Sequence, residues 1–211
     1  MSPMKVLLFN GSPKKNGCTA TALGGIAKIL NEQNIDTEIV EIGSRAVRGC
    51  IACGGCVKTG SCVFAKEDGL DEIYKKCEEA DGFVFGSPVY FSSANGTMVS
   101  FLDRLFFSGG KYLAHKPGAV ICSARRGGTT ATLDQLNKYV TYNQMPLVSS
   151  RYWSMVHGNK PEEVLQDKEG VQIMETIGKN MAWLLKSIEA GKAAGVPQPE
   201  AEQKVFTNFI R

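Results

Sequence analysis

The chain has 211 residues, 43% of them hydrophobic and 21% charged, a composition suited to one domain with a sizeable core. Its 24 basic and 21 acidic side chains are interspersed and leave a formal charge of +3, which argues against a nucleic-acid partner or an anionic membrane surface. No apolar run approaches the ~18 residues needed to span a bilayer. The opening MSPMKVLLFNGSP turns too soon for a secretory h-region, so a cytoplasmic location is expected. In that compartment the seven cysteines read as reduced thiols rather than a disulfide framework. Cys18, Cys77 and Cys122 are scattered, whereas Cys50, Cys53, Cys56 and Cys62 crowd into one segment.

Residues 6–9 form a short apolar run that predicts a strand buried on both faces. Leu23, Ile26, Ala27 and Leu30 then place one apolar stripe along a helix, and residues 37–42 predict a more polar strand. A glycine- and cysteine-rich loop, residues 43–67, leads to Asp68, the expected N-cap of a helix that buries Leu70, Ile73, Tyr74 and Cys77. Residues 83–85 and 119–122 are continuous apolar strands on either side of a helix with Met98, Phe101, Leu102 and Leu105 on one face. A helix over residues 132–142 precedes a short strand over 145–148. The last helix carries Ile177, Met181, Leu184, Leu185 and Ile188. Prolines in GKAAGVPQPEAEQ stop that helix, which divides the chain into a domain over residues 1–190 and an extended tail over 191–211. In the tail, Val205, Phe206, Phe209 and Ile210 are too apolar to stand free and are expected to pack on their own subunit or on a partner.

Strands alternating with helices predict a parallel α/β sheet covered on both faces. The uniformly apolar strands belong in the centre and the polar second and proline-bearing fifth at the edges, which gives the order 2-1-3-4-5. That is a flavodoxin-like three-layer sandwich with a five-stranded sheet. Its ligands bind beyond the carboxyl ends of the strands, where the first and third strands part.

Three loops at that edge carry suitable chemistry. In NGSPKKNGCTATAL a glycine turn meets a helix start, so the amides around Asn16, Gly17 and Cys18, the hydroxyls of Ser12 and Thr19 and the charge of Lys14 can cradle a phosphate. The alternative is an ordinary strand-to-helix turn. Neither GxxxxGK[ST] nor GxGxxG is present, which disfavours a nucleotide triphosphatase or a dinucleotide fold. In GSPVYFSSANGTM, Pro88, Val89, Tyr90, Phe91 and Ser92 offer an apolar wall and backbone amides to a planar heterocycle. In SARRGGTT, Ser123, Arg125, Gly127 and Gly128 can close the other side, with Arg125 and Arg126 reading equally well as solvated charges. The run CIACGGCVKTGSC sets Cys50, Cys53, Cys56 and Cys62 at a spacing that suits a 4Fe-4S cluster, a zinc ion or metal-free thiols in a structured loop.

With these loops in place, the chain resembles the NADPH-dependent FMN reductases of the flavodoxin-like superfamily, and among them the iron-sulfur flavoproteins. GSPKKNGCT resembles the family's phosphate loop, with Cys18 where an asparagine is usual, and SPVYF with the following DRLF resembles its flavin-ring segment. The cysteine spacing and the terminal TNFIR are similar to the family's as well. The resemblance implies FMN as cofactor, NAD(P)H as electron donor and a small molecule or redox protein as acceptor. A cluster at the four cysteines would make the chain a ferredoxin-fed electron carrier instead. A non-enzymatic sensor built on the cysteine loop is a third reading. No catalytic side chain is identified, because hydride transfer is the flavin's own chemistry. The open aromatic loop and the apolar tail point to a homodimer or tetramer. A low-molecular-weight phosphatase is excluded, since no strand-to-helix loop carries a cysteine followed six residues later by an arginine.

Overall fold

The computed structural model describes residues 3–200 and 205–209. Its central sheet runs β2 (Asp36–Glu41), β1 (Lys5–Asn10), β3 (Gly82–Tyr90), β5 (Gly118–Ala124) and β6 (Met155–His157), all parallel, and the two-residue β4 (Ser93–Ala94) folds back antiparallel on β3. The main path is the order expected from the sequence. Alternate residues of each strand enter opposite layers. Leu7, Phe9, Phe83, Phe85, Val120 and Cys122 pack against α4 (Leu70–Glu79), α5 (Gly96–Gly109) and α6 (Thr129–Tyr142). Val6, Leu8, Val84, Ala119 and Ile121 pack against α1 (Cys18–Glu32) and α8 (Lys168–Ala193). The α1 and α8 helices approach so closely that a side chain at Gly178 would begin 2.8 Å from Ile29 Cβ.

Several boundaries differ from the sequence expectation. The segment 145–148 is not the edge strand. Its Met145 and Val148 are buried, but only Leu147 makes a parallel bridge, opposite Gly118. The Val148 N–H donates to Gly118 O at 2.8 Å and Gly118 N–H donates to Pro146 O at 3.0 Å, after which the chain swings out and re-enters the sheet as β6 beside Cys122–Ala124. Apolar side chains there served burial without a ladder. Asp68 does not cap α4. Gly69, at φ 76°, takes that position in the left-handed region, and Asp68 ends the short helix α3 (Ala65–Asp68) with its carboxylate turned to Arg104. The expected loop over 43–67 contains a further short helix, α2 (Gly55–Thr59), and a third, α7 (Pro161–Val164), precedes α8. Val205, Phe206 and Phe209 are exposed, so the expected packing on their own subunit is not seen, and Ile210 lies outside the described residues.

Phe9 is fully buried at the centre of one layer, stacked on Phe85 at 5.3 Å between centroids and tilted against Phe101 at 5.4 Å. Phe9→Ala is expected to cost about 3–5 kcal/mol in urea unfolding, the usual range for a large aromatic lost from a core. At the edge of the sheet, Glu38 takes hydrogen bonds from Lys5, at 2.7 Å, and from Lys76. These hold its carboxyl below the ordinary range. The stabilisation is therefore complete above the unfolded carboxylate pKa of about 4.3 and is lost as pH falls through the lower folded value. Glu38→Gln should flatten that acid limb by no more than about 1 kcal/mol, because the groups are partly exposed. The stability of parent and variant measured from pH 7 down to 3 checks it.

Candidate functional site

At the carboxyl edge β1 ends in Asn10, a buried amide that fixes the turn beyond it. Asn10 Oδ1 accepts from Ser12 N–H at 3.0 Å, and Asn10 Nδ2 donates to Glu41 Oε2 at 2.8 Å. Gly11 N–H donates to Gly86 O at 2.7 Å. Ser12 Oγ accepts from Lys14 N–H at 3.1 Å and Gly17 N–H donates to Lys14 O at 3.1 Å, which folds the loop onto the start of α1. That start has no side-chain cap and no acidic residue in its first turn, so its N–H groups and partial positive charge remain for an anion. Gly43 presses on the same loop: a Cβ there would fall 2.2 Å from Gly11 O, so only glycine fits. Lys14 and Asn16 are exposed beside it. Cys18 Sγ lies 3.5 Å from Gly158 O, and burial raises its pKa, so it is a packed thiol rather than a ready nucleophile.

Thr19 is partly engaged. Its hydroxyl does not stand open toward the anion position but shares a 2.8 Å hydrogen bond with Ser123 Oγ, and both residues are buried. The pair uses one of its two hydroxyl protons and leaves the other for a further acceptor. Through it the first loop is tied to the third. The second and third loops touch as well, since Gly128, at φ 89°, comes so close to the second loop that a Cβ would lie 2.8 Å from Ser92 Cα and 3.0 Å from Val89 Cγ1. The second loop is a tight hairpin from β3 to β4 whose tip residues, Phe91 at φ 50° and Ser92 at φ 59°, both occupy the left-handed region. Gln135 Oε1 anchors it by accepting from Ser93 Oγ at 2.8 Å and Ala94 N–H at 2.9 Å. Pro88 and Val89 are half-buried, Tyr90 is exposed, and Phe91 stands fully in solvent. Gly127 and Arg125 are exposed, as is Arg126, which suits the solvated reading of the arginines.

The four clustered cysteines line one hollow together with Phe64, Arg104 and Phe107. Ala52 at φ 53° and Gly54 at φ 69° bend the chain around it, and Ala52 N–H donates to Cys50 Sγ at 3.4 Å. Burial raises the Cys56 thiol pKa, a backbone hydrogen bond offsets part of that, and the neighbouring Cys62, Cys50 and Cys53 raise it further. Among the described residues no three His, Cys, Asp or Glu side chains stand in a ready-made ligating arrangement. The soft donor set nevertheless fits an iron-sulfur group, and gathering it would bring mutually repelling thiolates into the same hollow.

The sequence reading missed the polar side chains that support these loops: Asn10 and Glu41 at the first, and Asp68, Tyr74, Arg104 and Ser108 beneath the cysteines. Arg104 was detectable as a charge three residues after Phe101 and one before Leu105, inside an otherwise apolar stripe. A further hollow lies at the opposite, amino edge of the sheet among Met4, Asp81, Lys116, Pro117 and Pro146, remote from all three loops. Topology and the convergence of polar groups favour the carboxyl edge as the candidate ligand site.

The model of the NADPH-dependent FMN reductases matches residues 4–160. The chain belongs to that family. Membership makes it a flavoprotein oxidoreductase of flavodoxin-like fold. It is 29% identical over 194 residues to an iron-sulfur flavoprotein of Methanocaldococcus jannaschii, covering 88% of this chain and 100% of that one. With an iron-sulfur flavoprotein of Methanosarcina thermophila it shares 27% identity over 194 residues, covering 90% and 99%. Among solved structures, RosB with a bound formylated riboflavin phosphate intermediate superposes with a TM-score of 0.67 at 13% identity, covering 99% of this chain and 92% of the other. A flavodoxin from the Archaea gives 0.59 at 15% identity, covering 87% and 99%. At these identities the structures speak for the fold.

Thr19→Val removes one partner of a buried hydroxyl pair and should destabilise the chain by about 1–3 kcal/mol. Adding Ser123→Ala should cost less than the sum of the two single changes, because the hydroxyl left unpaired is then gone. A double-mutant cycle in urea measures the difference.

Proposed function

We propose that the chain binds FMN at the carboxyl edge of its sheet, is reduced by NAD(P)H and passes the electrons to a small-molecule or redox-protein acceptor. The observation that carries this reading is the mutual attachment of three loops around an uncapped helix start: Gly11 to Gly86, Thr19 to Ser123 and Gly128 against Ser92. FMN, when bound, supplies the chemistry that accepts a hydride and releases electrons singly or in pairs. The chain's own part is binding and orientation. The hydroxyl of Ser12, the charge of Lys14 and the backbone N–H groups of Asn16, Gly17, Cys18 and Thr19 would hold the phosphate. Pro88, Val89, Tyr90, Phe91 and Ser92 would flank the ring on one side, and Ser123, Arg125, Gly127 and Gly128 on the other. Binding a ring there would cover exposed aromatic surface and exclude water from it.

A second reading is favoured by the four cysteines that share a hollow. Relatives matched along almost their whole length are named iron-sulfur flavoproteins, which supports a 4Fe-4S cluster held by Cys50, Cys53, Cys56 and Cys62, with ferredoxin-like donors replacing NAD(P)H. A homodimer or tetramer belongs to either reading, with the tail after the flavin domain as its apolar surface: Val205, Phe206 and Phe209 lie uncovered on the single chain. A non-enzymatic thiol sensor would bind flavin that no donor reduces.

Purification without oxygen should yield about one FMN per chain by mass spectrometry of the released cofactor, and NADPH should bleach its visible bands. Absence of FMN would overturn the flavin reading. FMN that resists NADPH but is bleached by reduced ferredoxin would select the carrier, and FMN that resists both would select the sensor.

A further inference from the structure

We propose that Arg104 is a positioning residue for the cysteine centre: its buried guanidinium holds both ends of the cysteine loop and donates to the sulfur of Cys62, which rests on the cluster reading above. Arg104 is 2% exposed, first among the large, fully buried side chains. Its planar fork reaches three points at once. Nε donates to Cys62 Sγ at 3.3 Å, Nη1 to Arg48 O at 3.1 Å and Nη2 to Asp68 Oδ1 at 3.2 Å, while Nη1 also pairs with Asp68 Oδ2. Arg48 lies just before Cys50, and Asp68 is the last residue of α3, so one side chain fastens the loop where it enters and where it leaves.

Cys62 is held from a second direction. Its N–H donates to Tyr74 Oη at 3.3 Å, that hydroxyl shares a hydrogen bond with Ser108 Oγ, and Ser108 Oγ donates to Arg104 O. The amide and the sulfur of one cysteine are thus both fixed by α4 and α5 before any iron arrives. A buried ion pair is weak evidence for stability, because desolvation offsets its attraction. Its use here is geometric and electrostatic: arginine presents five donors in a rigid plane, and its charge opposes the negative charge that builds up where four thiolates converge. Hydrogen bonds and charge at the sulfurs are among the terms that set a cluster's potential. The helix that carries Arg104 is capped by Asn95, whose N–H donates at 2.9 Å to Ser87 Oγ in β3, next to the proposed ring residues. Nine residues of helix separate the two anchors, roughly 14 Å along the axis, so α5 is a rigid spacer between the flavin loop and the cysteines.

The test uses full-length protein made without oxygen as the parent, Arg104→Lys, and Arg104→Met combined with Asp68→Asn, which removes both buried charges together. Flavin content reports folding. Expected are parent iron and sulfide that a chelator strips roughly 10–100-fold faster from both variants, the usual range for supporting contacts to metal ligands. The cluster midpoint, followed by paramagnetic resonance during reductive titration, should fall in the double variant, which loses the Nε–H donor to Cys62 Sγ without a net change of charge, and stay nearer the parent in Arg104→Lys, which keeps a cationic N–H donor. Unchanged stripping rates and midpoints in both variants would overturn the proposal. If the double variant loses its flavin, Arg104→Lys alone decides by its stripping rate. Should the parent contain neither iron nor sulfide, the cluster reading fails and Arg104 is judged separately by hydrogen exchange in the metal-free protein. Faster exchange over residues 48–64 in Arg104→Lys then supports the clamp, and equal exchange overturns it.

Discussion

The carboxyl end of β1 is the point on which both candidate centres depend. β1 is paired on each side, to β2 and β3, and its last residues keep bonding beyond the ladder: Gly11 N–H to Gly86 O, Asn10 to Glu41 and to Ser12. Because backbone polar groups at a buried edge must find partners, these bonds fix how the chain can leave the sheet. Gly43, two residues past the end of β2 at Glu41, lies against Gly11 with no room for a side chain. The anion loop and the approach to the cysteine loop therefore share one contact. A displacement of either would be felt at the other.

The helices that face this edge differ in what they contribute. α1 offers a bare N-terminus, useful to an anion because no side chain caps it. α5 has the opposite arrangement: Asn95 Oδ1 accepts from Thr97 N–H at 2.7 Å, so its start is satisfied internally and is committed to holding the second loop. Further along, its Arg104 and Ser108 face the cysteines, while Phe101, Leu102 and Leu105 face the sheet. One helix thus serves packing on one stripe and a polar support network on the next.

Of the six non-glycine residues with positive φ among the described residues, Asn34, His115 and Gln144 lie in turns away from the candidate loops and the other three lie within them. Ala52, Phe91 and Ser92 are non-glycine residues in the left-handed region, and each lies in a loop assigned here to cofactor binding or cysteine chemistry. Such conformations cost of order 1–3 kcal/mol each and persist where the surroundings hold them. At the hairpin the hold comes from Gln135 and the press of Gly128 on Ser92. At the cysteine loop it comes from Arg104 and Tyr74.

Periodicity determined the layers. Runs of apolar residues at 6–9, 83–85 and 119–122 must be buried on both faces, and the intervening helical stripes can only cover them, so the sheet order and the edge carrying the candidate loops followed from the sequence alone. The cysteine spacing and the glycine-rich turns were equally local signals. Tertiary structure decided the rest. Residues 145–148 and 155–157 are both apolar, and which of them joined the ladder depended on the path taken past Gly118, information that no local pattern contains. Asp68 reads as a helix cap until Arg104, distant in sequence, competes for its carboxylate. Thr19 reads as a hydroxyl standing free until Ser123 arrives from the far strand and takes one of its hydrogen bonds. In each case a polar group that looked free along the chain was claimed across the fold, because a buried donor or acceptor takes the partner that topology brings to it.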